Sequence, residues 1–199
     1  CENINDLVNY SDAVLLARDD DENHLEMARF FLGEGVPIFV DKPFSTSVHH
    51  AIQMLDLQKY DHQIFTCSSL RYAKELIVSS DEFNTIGELR EVVANCPKYW
   101  NTYAVHLLEP IIVNCSQRGE LLEVHKVQSE NHTVHIKWQQ LIAKITMTGQ
   151  EPSSLEFTYI GDKGSIRKQF RDSFSCFKSS LKMFIDQVHK KENLIPREE

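Results

Sequence analysis

Long apolar runs are missing from this 199-residue chain, and none approaches the roughly 20 residues of a membrane-spanning helix. Basic charge is also short. Lys and Arg number 21 against 29 Asp and Glu, a net charge of −8 that argues against a nucleic-acid backbone or an anionic membrane as partner. Only seven glycines occur, and none forms a Gly-x-Gly-x-x-Gly turn of the kind that cradles a pyrophosphate. The five cysteines, Cys1, Cys67, Cys96, Cys115 and Cys176, are scattered and lack zinc-type spacing. They read as reduced thiols packed as small hydrophobes in a cytoplasmic protein. The acidic Asp19–Glu22 stretch lacks the glycine and ligand spacing of a calcium loop, so no metal is expected.

What is present is periodic. Ala13–Ala17 is a continuous apolar run that suits a strand buried on both faces. Asn23 stands as cap before a helix starting at His24, with Leu25, Met27, Ala28, Phe31 and Leu32 inward and Gly33 and Gly35 stopping it. Val36–Val40 is a second strand. Ser45, Thr46 or Ser47 caps a helix with Val48, Ala51, Ile52 and Leu55 inward, and Gln63–Cys67 is a third strand. Strand, helix, strand, helix, strand at this spacing predicts parallel βαβ units.

A further helix is predicted from Arg71 to about Ser80, a strand from Glu88 to Asn95, and a helix from about Thr102 to Ser116. From Leu121 the pattern changes to β-prone segments: 121–127, 132–138, 141–147 and 154–160. Gly161–Ser165 is a tight turn into Ile166, and an amphipathic helix closes the chain, with Phe177, Leu181, Phe184, Ile185 and Val188 inward. The fold class expected is α/β: a partial Rossmann-like parallel sheet over 1–70, then an α+β domain with a mostly antiparallel sheet over 71–199.

Two stretches carry chemistry. In Asp41-Lys42-Pro43 an apolar strand ends in an acid and a lysine, at the edge where open α/β sheets take ligands. Lys42 there reads either as a surface lysine paired with Asp41 or as a group that hydrogen-bonds a substrate oxygen. On the helix after Trp100, residues Thr102, Tyr103, His106 and Glu109 share one face. That stripe suits proton transfer, or else a set of hydrogen bonds within an interface. His24 stands at a helix N-terminus just past a strand end, open to a ligand. His132 and His135, three apart in a strand, point to opposite faces and cannot clamp one metal.

Taken in order, these segments resemble the Gfo/Idh/MocA oxidoreductases, named for glucose-fructose oxidoreductase and inositol dehydrogenase. Asp12–Ala17 with His24 and Glu26-Met27-Ala28 is similar to the family's fourth strand and following helix. Asp41-Lys42-Pro43 resembles its Glu-Lys-Pro signature. Ser69–Tyr72 followed by Ile86-Gly87-Glu88 resembles the passage into the second domain, Trp100–Pro110 the catalytic helix, and Tyr159–Ser165 the late glycine hairpin.

The resemblance implies NAD(P)-dependent hydride transfer at a hydroxyl-bearing carbon of a sugar, polyol or similar small molecule, with NAD or NADP as cofactor. By it, Lys42 would hydrogen-bond the reacting oxygen and His106 would be the general acid/base. Ala17, Arg18, His24, Asp41 and Arg71 would line the cofactor, and Trp100, Asn101 and Tyr103 the substrate. The antiparallel sheet would join subunits of a homo-oligomer.

Departures accompany it. Thr102 stands where the family often has aspartate, Asp41 replaces glutamate, and the loop before His24 lacks the usual Thr-Pro. The glycine turn and the first two strands of a dinucleotide fold are missing, and the chain opens on Cys1. An N-terminal portion of that domain is therefore expected to lie outside this sequence. The alternative is a non-catalytic ligand-binding or regulatory relative of the same fold.

Overall fold

The computed structural model describes residues 4–18, 20–128 and 132–196. The chain divides into two compact units, one of residues up to Ser68 with those from Lys178 on, the other Ser69–Phe177. The closing helix differs from expectation, since most of it belongs to the first unit.

In the first unit, strands β1 (Val14–Leu16), β2 (Ile38–Val40) and β3 (Ile64–Phe65) form a parallel sheet in that order. Helix α1 (His24–Glu34) joins β1 to β2, and α2 (Val48–Asp56) joins β2 to β3. Continuous apolar character makes β2 the buried centre: all three of its residues are buried. Strand β1 is an edge strand in this sheet, so Leu15 is 52% exposed rather than covered on both faces.

Helix α1 buries Leu25, Ala28, Phe31 and Leu32, and Gly35 ends it in the left-handed conformation at φ 79°. Asn23 precedes α1 but does not cap it; its amide donates to Asp20 at 3.0 Å. Ser47 does cap α2, accepting from the His50 amide. Only Met54 of α2 is fully buried, and the stripe expected inward, Val48, Ile52 and Leu55, faces out. Periodicity defined that stripe correctly but carries no information about which side meets the sheet.

The closing helix, α6 (Ser173–Lys190), buries Cys176, Ser180, Phe184 and Gln187, while Phe177 and Ile185 are exposed. Phe184 packs on Phe39 and Phe65, with ring centroids 5.7 and 5.8 Å away. Gln187 Nε2 donates to the carbonyls of His62 (3.1 Å) and Ile64 (2.9 Å). A glutamine able to satisfy two carbonyls beside β3 is buried at little cost, and this moves the buried stripe off the purely apolar one.

The second unit opens with short 3-10 turns at Ser69–Tyr72 and Lys74–Leu76, not the helix expected there. Helix α3 (Ser80–Ile86) starts where Ser79 and Glu82 form a reciprocal capping box. Strand β4 (Leu89–Cys96) follows, then α4 (Trp100–Tyr103) and α5 (Val105–Asn114). Strands β5 (Leu121–Val127), β6 (His132–Trp138), β7 (Ile142–Met147), β8 (Glu156–Gly161) and β9 (Ser165–Gln169) complete a sheet of order β5-β6-β7-β4-β8-β9. All neighbours are antiparallel except β4 and β7.

Alternation sends Val92, Ala94, Ile136, Ala143, Ile145, Phe157 and Tyr159 into one core with Leu107 and Ile111 of α5. The β8–β9 turn docks on the α3–β4 corner: Asp162 accepts from Glu88 N at 2.9 Å, and Lys163 N donates to Ile86 O at 2.9 Å. That contact requires glycine on both sides. A Cβ on Gly161 would stand 2.1 Å from the Ile86 carbonyl oxygen, and one on Gly87 would stand 1.9 Å from the Asp162 carboxylate.

Candidate active site

The pairing Leu16↔Val40 makes β1 and β2 end level, so Ala17-Arg18 and Asp41-Lys42 leave the sheet side by side at its C-terminal edge. The Asp41 amide extends the ladder by donating to Leu16 O at 3.0 Å. Asp41 and Lys42 are half-buried, Pro43 is buried, and the Lys42–Pro43 peptide is cis.

Two further contacts clamp the loops after β1 and β2 together. The His24 ring lies between carbonyls, Nδ1 3.2 Å from Phe44 O and Nε2 3.0 Å from Arg18 O. The Thr46 amide and hydroxyl both donate to the Asp21 carboxylate, at 3.0 and 2.6 Å. Such cross-links hold Lys42 on a braced turn, and brace Arg18 from its carbonyl side.

His24 is thereby corrected. Its ring is completely buried with both nitrogens facing protein oxygens, so it props the loops and presents nothing to a ligand. The guanidinium of Arg18 meets Asp20 at 2.6 and 2.8 Å in an exposed pair. The hydrogen bond from Arg18, joined by one from Asn23, holds the Asp20 carboxyl well below the usual carboxylate range. The acidic loop is thus more than solvated charge: Asp20 and Asp21 each have a bonding partner.

In the second unit the polar stripe sits on α4 and α5, which break at Ala104 instead of forming one helix. His106 is 8% exposed and meets Tyr103 edge-on, with ring centroids 5.1 Å apart. Pro110 has no N–H to offer the His106 carbonyl one turn back, which loosens the ladder at that residue. Glu109 accepts from Arg71 at 3.4 Å, with both side chains largely buried. The guanidinium of Arg71, expected along a cofactor, is engaged by that carboxylate.

Trp100, Asn101 and Thr102 line a cavity of about 640 Å³ with Lys126 and Val134 of β5 and β6. His132 of β6 and Tyr99 complete its wall. The sequence pattern singled out neither Lys126 nor, except as a rejected metal ligand, His132: their strands read plainly, but strand pairing is what brings them to the cavity of Trp100.

Cys67, Cys96, Cys115 and Cys176 are all buried. Burial pushes the Cys96 and Cys115 thiols up to about 12, which removes them as nucleophiles at neutral pH. Among the described residues no group of three or more His, Cys, Asp or Glu is placed to hold a metal ion, and no helix is long and apolar enough to cross a membrane.

No family model matches the chain, and no curated protein does. Solved structures do. GenD2 from gentamicin A biosynthesis, in complex with NAD, matches with a TM-score of 0.77 at 12% identity, over 98% of this chain and 74% of that one. Myo-inositol 2-dehydrogenase from Lactobacillus plantarum matches at 0.71 and 15%, over 98% and 76%. A Gfo/Idh/MocA family oxidoreductase from Vibrio cholerae matches at 0.70 and 17%, over 97% and 75%. The fold of this chain is therefore that of the Gfo/Idh/MocA oxidoreductases, as the ordered sequence motifs imply.

Proposed function

We propose that this chain is the greater part of an NAD(P)-dependent oxidoreductase acting on a hydroxyl-bearing carbon of a sugar, polyol or similar small molecule. The observation that carries it is Lys42, one residue past Asp41 on a braced turn at the C-terminal edge of a parallel sheet, within a fold shared with dehydrogenases. The residues present fit the nicotinamide-ribose half of such a cofactor: Ala17 follows β1, and Asp41 supplies a half-buried carboxylate able to accept from ribose hydroxyls. None of the described residues forms a glycine turn for the pyrophosphate.

A nicotinamide held beside Ala17 and Asp41 would supply hydride exchange at the substrate carbon. The Lys42 ammonium donates to the oxygen on that carbon and favours its loss of a proton. His106, held by the Tyr103 ring, takes that proton in oxidation and returns it in reduction. Trp100 and Asn101 orient the remainder of the substrate. Subunits associate through the sheet face opposite α5.

The test is Lys42→Ala. Turnover is expected to fall by about 10²- to 10⁴-fold, with the thermal shift given by NAD(H) or NADP(H) retained. Unchanged turnover would sink the assignment. A second reading, a binding or regulatory relative, is favoured by Thr102 in place of aspartate and by the near-complete burial of His106. It predicts the same thermal shift with no turnover on any polyol.

A further inference from the structure

The cavity beside Trp100 has a chemistry of its own. Its volume of about 640 Å³ is that of a small-molecule site. Trp100 and Tyr99 offer aromatic faces, and Asn101 and Thr102 offer an amide and a hydroxyl, the groups that seat a sugar ring. Across from them stand Lys126 and His132, and among the described residues no carboxylate lines the cavity.

Strand alternation accounts for this. Lys126 pairs with Val134 and shares its face, whereas Glu123 and His125 lie on the other face of β5. Among the described residues no acid pairs with Lys126, although acids outnumber bases across the chain. The backbone leading into Tyr99 is also pinned. Lys98, directly before Tyr99, is held at φ 84° by a two-way backbone bridge to Gly149, with N···O distances of 2.6 and 3.0 Å. A lysine in that left-handed conformation is strained, a state found where surrounding structure enforces a site. A second cavity of about 630 Å³ shares Tyr99 and His132, and its one carboxylate, Glu151, lines the second cavity but not the first.

The geometry points to an anionic sugar as substrate: a ring seated on Trp100 whose carboxylate or phosphate, remote from the reacting carbon, is bound by Lys126 with His132. This rests on the oxidoreductase reading for the word substrate, but not for the binding. The amine and imidazole donate to the anion's oxygens; a neutral polyol would leave Lys126 unmatched.

Binding of glucose, glucuronate and glucose 6-phosphate to the whole protein can be compared by saturation-transfer NMR without cofactor. At least one of the two anionic sugars is expected to bind about tenfold or more tightly than glucose, and which one does separates carboxylate from phosphate. Rising salt should shrink the preference, Lys126→Gln should erase it, and Lys137→Gln, on the opposite face, should leave it intact. Equal affinities, no binding by any of the three, or a preference untouched by Lys126→Gln would overturn the inference. Reduction of NAD or NADP is assayed separately. Lys126-dependent binding without hydride transfer would remove the oxidoreductase reading alone. Turnover of neutral polyols with no anion preference would remove the anion site alone.

Discussion

Single buried polar residues decide much of how the first unit is held. Gln63 is completely buried; its amide donates to Leu32 O at 3.0 Å and Val36 O at 3.2 Å, and its oxygen accepts from Lys59 N at 2.7 Å. Gln187 does the same beside β3 and also accepts from Leu194 N at 3.2 Å. Each side chain satisfies backbone groups left over where elements end, and losing it strands those groups away from water. Gln187→Leu keeps the volume and deletes the donors. It should lower stability by about 1–3 kcal/mol, read as a shifted urea midpoint at unchanged slope. His24 belongs with this pair as a buried polar brace.

At the scale of elements, the start of α6 is tied to the 3-10 turn at Lys74–Leu76 through one carboxylate. Glu75 accepts from the amides of Arg171 (3.0 Å) and Asp172 (2.9 Å) just before the helix. Burial alone would raise the Glu75 pKa, but the two amides outweigh it and hold the group below its ordinary value. A depressed carboxylate pKa stabilises the fold fully above the unfolded value, about 4.3 for glutamate, and that contribution is lost as pH falls through the folded value. Glu75→Gln should therefore flatten the acid limb of stability below about pH 4.3 and change its slope little near neutrality. Thermal melts from neutral to acid pH measure this. The capping box of α3 adds a second such group, since Lys168 at 2.6 Å helps depress Glu82.

For the molecule as a whole, the uncovered face of the six-stranded sheet is the element that association would use. Ile142, Val93 and Ile160 supply apolar groups on it, with Ile142 40% exposed. Ion pairs are interleaved with them: Glu91, opposite both Ile142 and Ile160, meets Lys144 at 2.7 Å, and Glu156 meets Arg167. A face that mixes aliphatic side chains with ion pairs has the polarity of a non-obligate protein interface. If that face joins subunits, Ile142→Lys should shift the protein toward monomer in light scattering, with its melting temperature nearly kept because the residue lies at the surface. A monomeric parent protein would refute the assignment of this face.

Periodicity and punctuation marked much of the order of elements, though not the 3-10 turns at Ser69–Tyr72 and Lys74–Leu76 or the break at Ala104. The run Pro37–Val40, the cap at Ser47, the glycine at 35 and the four β-prone segments after Leu121 all lie where local sequence places them, because backbone preference and two-residue alternation act over short range. Position at a strand end likewise marked Asp41 and Lys42. Other features depended on partners distant in sequence. Which stripe of α2 and α6 is buried, the pairing of Arg71 with Glu109, the enclosure of His24, and the meeting of Lys126 with Trp100 were settled only by tertiary packing. A helix face or a strand face has no inside until another element covers it, and an ionisable side chain has no role until its neighbours are in place.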